Sequence, residues 1–220
     1  MTAVLFDMDG VLVDSEDYWV AFQRDEILPA TVPDEDVDLA ETSGMNFREI
    51  YDYLDEAYGT AIPREEFVQR FDEAAEEIYT ERTELLNGLH DLLAELDDCG
   101  VPTALVSSSP HDWIGMVLER FDLEGRFDRV ISADDIDAAS KPAPDVFEHA
   151  AAELGVPPGE CIVVEDSANG IEAAARAGTT VVAYRIDAHG DIDRSSADEI
   201  VDSPTELRDR VRSLTKNQHA

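Results

Sequence analysis

Residues 3–10, AVLFDMDG, decide the fold of this chain. The apolar run at 3–6 is short and closely followed by Gly10, which predicts a buried strand of a parallel sheet. Asp7 and Asp9 come at its carboxyl end, where open α/β sheets bind their ligands. Two carboxylates in such a crevice need a partner, and a divalent cation is the natural one. One carboxylate could then attack phosphorus while the other moves a proton.

A second predicted strand, TALV at residues 103–106, ends in three consecutive serines. Ser107 comes too early in the chain to cap the next helix, which leaves it available for a functional site. Ser109 directly precedes Pro110, a residue type favoured in the first turn of helices, and we expect Ser109 to act only as the N-cap.

Lys141 follows a predicted strand at residues 130–131 and begins the turn KPAP at 141–144. The chain has only two lysines, and the other, Lys216, stands in the polar C-terminal tail. In a chain this poor in lysine, a lysine held before a Pro-x-Pro turn indicates a functional role. A compact ammonium group is a suitable point charge for a phosphoryl oxygen.

The predicted strand CIVV at residues 161–164 is followed by Glu165 and Asp166, and an alanine-rich helix then runs to Gly178. Together with Asp7, Asp166 could complete an oxygen-rich Mg²⁺ site with positions left for water and a substrate phosphate. Polar residues thus follow four predicted strands. Their convergence at one edge of one sheet is more specific than any single motif.

This ordered set of motifs resembles the haloacid dehalogenase superfamily of aspartate-based phosphotransferases. Within it, the chain is similar to the branch with a small helical cap, which includes β-phosphoglucomutases and phosphoglycolate phosphatases. The motifs are DMDGVLVDSE at residues 7–16, Ser107, KP at 141–142 and VEDSANGI at 164–171. They are highly specific together, and the resemblance covers nearly the whole chain.

The resemblance implies an α/β fold, with a Rossmann-like, doubly wound parallel sheet and an inserted α-helical cap domain. Residues 1–15 and 86–220 are expected to form the core domain, and residues 16–85 the cap domain. The cap sequence shows helical periodicity and no convincing strand. From residue 89 onward, helix and strand patterns alternate, which agrees with a doubly wound sheet.

The resemblance also assigns roles to the motif residues. Asp7 is expected to be the nucleophile that becomes an aspartyl phosphate, and Asp9 the general acid/base. The transferring phosphoryl group is expected to be held by Ser107, Ser108 and Lys141. Mg²⁺ is the implied cofactor, to which Asp9 would offer its backbone carbonyl while Glu165 supports the site. The predicted metal-site residues are Asp7, Asp9, Glu165 and Asp166.

Substrate specificity is expected to reside in the cap. The loop before the second predicted cap helix is expected to face the active site. The candidate specificity residues are Trp19, Gly44, Met45, Asn46 and Arg48. Arg48 could bind a substrate anion or could equally face the solvent.

The predicted function is a Mg²⁺-dependent phosphomonoester hydrolase acting on a small phosphorylated metabolite, of the sugar phosphate or phosphoglycolate type. One alternative is a sugar phosphomutase similar to β-phosphoglucomutase; mutases that resemble this chain carry a histidine in the first cap helix, where Trp19 stands here. A remote alternative is a phospho-receiver signalling domain, but receivers are compact domains without such an insertion. Asp9 argues against a dehalogenase, since a halide needs no proton to leave.

The composition restricts the possible partners and location. The chain carries 51 acidic residues against 16 basic ones, a formal net charge of −35, and nucleic acid or an anionic membrane is a poor partner for such a surface. No apolar run approaches the ~18 residues that span a membrane. We expect a small-metabolite substrate and a monomer or weak dimer. Because the chain begins directly in a predicted strand and has two isolated cysteines, we expect a cytoplasmic protein with reduced thiols.

The acidic residues are spread over the chain and lysine is scarce, which predicts adaptation to molar intracellular salt and a halophilic source. At molar salt the Debye length falls to about 3 Å, which screens the mutual repulsion of the carboxylates. We therefore expect the protein to lose its helical circular-dichroism signal or its activity on dialysis from molar KCl into dilute buffer. Returning the salt should restore both. Equal thermal stability at the two ionic strengths would contradict this prediction.

Overall fold

The computed structural model describes residues 2–39, 42 and 45–217 of the 220-residue chain. Its strands are β1 (Ala3–Phe6), β2 (Thr103–Ser107), β3 (Arg129–Ser132), β4 (Cys161–Glu165), β5 (Thr180–Tyr184) and β6 (Glu199–Val201). They form one six-stranded sheet in the order β3-β2-β1-β4-β5-β6. Every neighbouring pair is parallel, which confirms the predicted α/β fold with a doubly wound sheet.

Nine α-helices lie in the described part of the chain, together with two five-residue π-helical stretches, Gln23–Ile27 and Ile78–Arg82. The α-helices are α1 (Glu16–Phe22), α2 (Leu28–Thr31), α3 (Phe47–Ala57), α4 (Arg64–Glu77), α5 (Leu89–Asp98), α6 (His111–Arg120), α7 (Asp145–Leu154), α8 (Ala168–Ala177) and α9 (Pro204–Asn217). Within the described ranges, no helix is both long and apolar enough to cross a bilayer.

β1 lies in the middle of the sheet, and its register with β2 and β4 aligns the carboxyl ends of the three strands. Phe6, its last residue, pairs with Leu105 of β2 and with Val164 of β4. The residues that follow these three strands therefore meet at one edge of the sheet. This register is what allows groups more than a hundred residues apart in the chain to form one site.

Side chains of β1 alternate between two apolar layers, as the pleat of a strand requires. Val4 and Phe6 belong to a layer that includes apolar residues of α5, α6, α9 and the helices between β1 and α5. Ala3 and Leu5 belong to the opposite layer, with apolar residues of α7 and α8. Both faces of the sheet are thus covered, which explains why its strands read as continuous apolar runs rather than as alternating ones.

The helices between β1 and α5 form an insertion whose two ends lie side by side. Leu86 N donates to Leu12 O over 2.8 Å, and Asp14 N donates to Glu84 O over 3.2 Å. The described residues between 16 and 82 contain no strand, as the helical periodicity predicts. The division into a core of residues 1–15 and 86–220 and a cap of residues 16–85 remains a prediction.

Candidate active site

The Lys141 ammonium group lies between two carboxylates at the centre of the sheet edge. Its Nζ donates over 2.6 Å to Asp7 Oδ1 and over 2.6 Å to Glu165 Oε1. All three residues are buried. Burial alone would lower the pKa of Lys141, but the adjacent charges of Asp7 and Glu165 outweigh it and raise that pKa above its ordinary value. Lys141 is therefore a permanent cation at the end of β1.

Glu165 is fixed in place through both of its carboxylate oxygens. While Oε1 accepts from Lys141, Oε2 accepts from the backbone amides of Asp166 at 2.9 Å and Ser167 at 3.1 Å, and from the Ser167 hydroxyl at 3.1 Å. The turn of α8 that contains Gly170 approaches so closely that a Cβ there would lie 1.8 Å from Glu165 Oε1. Glu165 thus positions Lys141; the predicted metal-binding role of Glu165 remains a prediction.

Asp7, Glu165 and Asp166 form a cluster that suits a hard divalent cation. One carboxylate oxygen from each lies within 4.8 Å of the others. Burial raises the pKa of the Asp7 carboxyl well above its usual range, although the charge of Lys141 opposes this. Burial, and then the charge of Glu165, raises the pKa of Asp166 in the same direction. Three buried acids with one lysine have a deficit of positive charge, and oxygen ligands of this kind fit Mg²⁺.

Asp9 has a different environment, built from hydroxyl groups. Its Oδ1 accepts from Ser15 Oγ at 2.6 Å and from the Tyr79 hydroxyl at 2.7 Å, and its Oδ2 accepts from Ser109 Oγ at 3.1 Å. Trp19 Nε1 in turn donates to the Tyr79 hydroxyl over 3.1 Å. Burial raises the pKa of Asp9, and the hydrogen bonds from these hydroxyls only partly oppose it. Burial thus increases the proton affinity of Asp9, while three hydroxyl donors hold its carboxylate in one orientation.

The prediction that Ser109 only caps the next helix is wrong. The N-cap position of α6 is occupied by Pro110, so Ser109 lies one residue too early to accept from the first-turn amides. Its hydroxyl donates to Asp9 instead. Ser107, which its position in the sequence left available for a functional site, accepts a hydrogen bond through Oγ from the backbone amide of Ser109 at 3.0 Å.

The turn after Asp9 brings β1 close to the end of β4. Gly10 adopts a φ of +70°, which glycine tolerates and other residues resist. A Cβ at this position would also lie 1.9 Å from Asp166 Oδ2. Gly10 is therefore required on two counts: the backbone conformation of the turn and the space occupied by the Asp166 carboxylate.

A cavity of about 550 Å³ opens over these groups. Ser107, Ser108 and Lys141 line it together with Asp7, Asp9 and Asp166, so the structure brings the predicted phosphate-binding and catalytic residues to one place. The insertion and α6 together contribute an apolar wall of stacked aromatic rings. Trp19 lies over Trp113 with 5.4 Å between ring centroids, and Phe47 lies over Trp113 at 4.7 Å.

The predicted specificity residues are distributed unevenly around this cavity. Trp19 and Met45 line it. Asn46 instead caps α3 and donates through Nδ2 to Ser108 O over 3.0 Å, which ties the insertion to the loop after β2. Arg48 pairs with Asp134 at 3.1 Å and covers the Phe47 ring, outside the cavity lining. Gly44 lies outside the described residues.

His189 and Glu16 belong to the site although neither received a role from the sequence. His189 Nε2 lies 2.9 Å from Asp166 Oδ2 and 3.6 Å from Glu16 Oε2. Burial, followed by the charge of Asp166, raises the pKa of the Glu16 carboxyl well above its usual range. His189 follows β5, so the rule that residues after parallel strands meet at one edge could have identified it.

Comparison with known proteins agrees with this geometry. A family model described as haloacid dehalogenase-like hydrolase matches residues 4–184. Hexitol phosphatase B of Escherichia coli is 35% identical over 188 residues, which is 82% of each chain. Two solved structures share the fold at 24% identity. CbbY from Rhodobacter sphaeroides in complex with phosphate has a TM-score of 0.78 over 94% of this chain and 96% of that one. A β-phosphoglucomutase from Clostridium difficile has a TM-score of 0.76 over 99% of both chains.

The family model covers most of the chain, from the first residues of β1 to the end of β5. It therefore includes Lys141 and the buried carboxylates that surround it. The resemblance that the motifs indicated is confirmed. The chain belongs to the haloacid dehalogenase-like hydrolase family.

Proposed function

We propose that the protein is a Mg²⁺-dependent phosphomonoesterase that hydrolyses a small phosphorylated metabolite, of the sugar phosphate or phosphoglycolate type, through an aspartyl phosphate on Asp7. The observation that carries this proposal is the unequal environment of two neighbouring aspartates. Asp7 faces the Lys141 ammonium group, whereas Asp9 is held by three hydroxyl donors. The environment of Asp7 suits a nucleophile beside a phosphate, and the environment of Asp9 suits a general acid. The name of the related hexitol phosphatase B is in keeping with this assignment.

In the first step, a carboxylate oxygen of Asp7 attacks phosphorus, and the bond from phosphorus to the leaving alcohol breaks. Asp9 gives its proton to the departing alkoxide. The Lys141 ammonium, 2.6 Å from Asp7 Oδ1, is placed to stabilise the negative charge spread over the phosphoryl oxygens. Ser107 and Ser108 line the same cavity and would hold the other oxygens.

In the second step, the now ionised Asp9 takes a proton from a water molecule. The water oxygen bonds to phosphorus as the bond between phosphorus and Asp7 breaks. The products are inorganic phosphate, a free Asp7 carboxylate and a protonated Asp9, so the site returns to its starting state. One aspartate thus changes its covalent state while the other changes only its proton.

The metal would be held by the side chains of Asp7 and Asp166 and by the backbone carbonyl of Asp9, with Glu165 in support. When bound, Mg²⁺ supplies positive charge that offsets the negative charge of the phosphate. Residues 16–85 would act as the cap domain over a core of residues 1–15 and 86–220, and their aromatic side chains would limit the access of water. A cytoplasmic location and a monomeric or weakly dimeric state belong to the same proposal.

The hydrolase is favoured over a sugar phosphomutase by the residues around Asp9. Trp19 Nε1 donates a hydrogen bond to the Tyr79 hydroxyl, and that hydroxyl donates one to Asp9. The first helix of the insertion is thus connected to Asp9 through an indole and a phenol. Neither the Trp19 indole nor the Tyr79 hydroxyl exchanges protons readily near neutral pH. We expect inorganic phosphate to be released from sugar monophosphates with no interconversion of isomers. Conversion of β-glucose 1-phosphate into glucose 6-phosphate faster than phosphate release would replace the hydrolase with the mutase.

The contact between Tyr79 and Asp9 leads to a prediction about pH. A donor to the Asp9 carboxylate stabilises its charged form, so Tyr79→Phe should raise the pKa of Asp9 further. Because the acid must be protonated to release the alcohol, kcat/KM falls as pH rises through that pKa. The alkaline limb of the kcat/KM profile should therefore move to higher pH in the variant. Tyr184→Phe, outside the active-site cavity, is the matched control, and an unchanged profile in Tyr79→Phe would contradict the role given to Asp9.

A further inference from the structure

We propose that the active-site cavity selects phosphomonoesters whose leaving alcohol carries no negative charge. This inference rests on the proposed phosphatase function and narrows it, since phosphoglycolate and sugar bisphosphates would then be poor substrates. It follows from the charged side chains that line the cavity.

The basic side chains among the described lining residues are Lys141 and His189. Both lie at the end of the cavity that would hold the phosphoryl group. Lys141 bonds to Asp7 and Glu165, and His189 lies against Asp166 and Glu16. Positions 40, 41, 43 and 44, next to the lining residues of the insertion, are Ala, Glu, Ser and Gly in the sequence and bring no basic side chain. A second anion on the substrate would therefore find no cation assigned to it.

Away from this end of the cavity, the charged side chains of the lining are carboxylates. Asp38 comes from the insertion, and Asp191 and Asp193 come from the segment after His189. A carboxylate can accept a hydrogen bond from a substrate hydroxyl, but it repels a substrate carboxylate or a second phosphate. The cavity thus tolerates a polyol or sugar alcohol and opposes an acid of the same size.

Two arginines lie close in sequence to residues that line the cavity, and neither lines it. Arg48 pairs with Asp134, and its guanidinium covers the Phe47 ring with 4.7 Å to the ring centroid. Arg194 donates through Nη1 to the backbone oxygens of Gly190 and Ile192. The charge of Arg194 acts on Asp191 and Asp166 from behind the lining, but one arginine beside the three carboxylates of Asp38, Asp191 and Asp193 leaves this part of the cavity with a net negative charge.

Pairs of substrates that share a carbon skeleton but differ in the charge of the leaving group test this inference. The pairs are 2-hydroxyethyl phosphate with phosphoglycolate, sorbitol 6-phosphate with 6-phosphogluconate, and fructose 6-phosphate with fructose 1,6-bisphosphate. Initial rates of phosphate release would be measured at a fixed free Mg²⁺ concentration and at the lowest KCl concentration that keeps the protein folded. We expect kcat/KM to be at least about tenfold higher for the less charged member of each pair.

The outcomes separate this inference from the function on which it rests. Equal or reversed kcat/KM values within the pairs overturn the charge selection and leave the phosphatase intact. If a folded, Mg²⁺-supplied protein releases no phosphate from any of these substrates or from p-nitrophenyl phosphate, the phosphatase proposal fails, and this inference fails with it.

Variants of Asp191 test whether the carboxylates that line the cavity cause the substrate preference. For Asp191→Asn we expect the preference for the less charged substrate to shrink by about twofold, and for Asp191→Lys by about fivefold, as one or two charges change at ~8 Å in water. Asp187→Asn, an exposed aspartate that does not line this cavity, should leave the preference unchanged. The same substrate preference in the parent and both Asp191 variants would overturn the inference.

Discussion

Asp7→Asn should abolish phosphate release while leaving the fold intact. The amide has the size and shape of the carboxylate but cannot attack phosphorus, so we expect a loss of at least about a thousandfold in kcat. The substitution also removes one of three clustered buried acids, whose pKa burial already raises. Because Lys141 keeps Glu165 as its partner in this variant, the thermal unfolding midpoint should be equal to or above that of the parent. Phosphate release and circular dichroism on the same preparation measure the two quantities.

Asp17→Asn is the matched control for this variant. Asp17 is exposed in the first turn of α1, so the same chemical change there should alter neither activity nor stability. Activity of Asp7→Asn within about tenfold of the parent, on protein that is demonstrably folded, would contradict the nucleophile assigned here.

Lys141→Met should have the largest effect on stability. The methionine fills a similar volume but leaves Asp7 and Glu165 buried without their cation. Removing one member of a buried ion pair typically costs about 3–5 kcal/mol of unfolding free energy. Activity should be lost as well, because no other cation contacts Asp7 among the described residues. Urea unfolding in parallel with phosphate release measures both effects.

The pH dependence of this loss has a defined sign. Burial places the pKa of Asp7 above that of the unfolded chain, so the ionised form is disfavoured in the fold and becomes more so without Lys141. Protonation at lower pH relieves that cost, and the stability deficit of Lys141→Met should shrink as the pH falls. Lys216→Met, at the chain's only other lysine, which is exposed, is the control and should unfold like the parent. A deficit that grows on acidification would contradict the ion-pair explanation.

The sheet and the edge that carries the candidate site were predictable because short apolar runs specify buried parallel strands, and such strands present their carboxyl ends together. This rule placed Asp7, Lys141 and Asp166 in one site from residues far apart in the chain. The same rule could have included His189, which follows the fifth strand, but no motif singled it out.

The surroundings of Asp9 were not predictable in the same way. Tyr79 reaches Asp9 from a helix of the insertion 70 residues away, and its position depends on how that helix packs against the core. Periodicity shows which face of a helix is apolar, but it does not show which single side chain turns toward a buried acid. The partner of Arg48 was not predictable either. Arg48 is in a helix of the insertion and pairs with Asp134, which follows β3, and sequence spacing does not relate these two positions.

The hydrogen bonds from Trp19 to Tyr79 and from Tyr79 to Asp9 join the insertion to the sheet edge at the acid itself. Any displacement of the insertion that broke them would also expose Asp9 to water and remove the burial that raises its pKa. The position of the insertion and the proton affinity of Asp9 are therefore thermodynamically linked, and linkage is reciprocal. Protonation of Asp9 must therefore change the free energy of displacing the insertion. That change is equal to the effect of the displacement on the free energy of protonating Asp9.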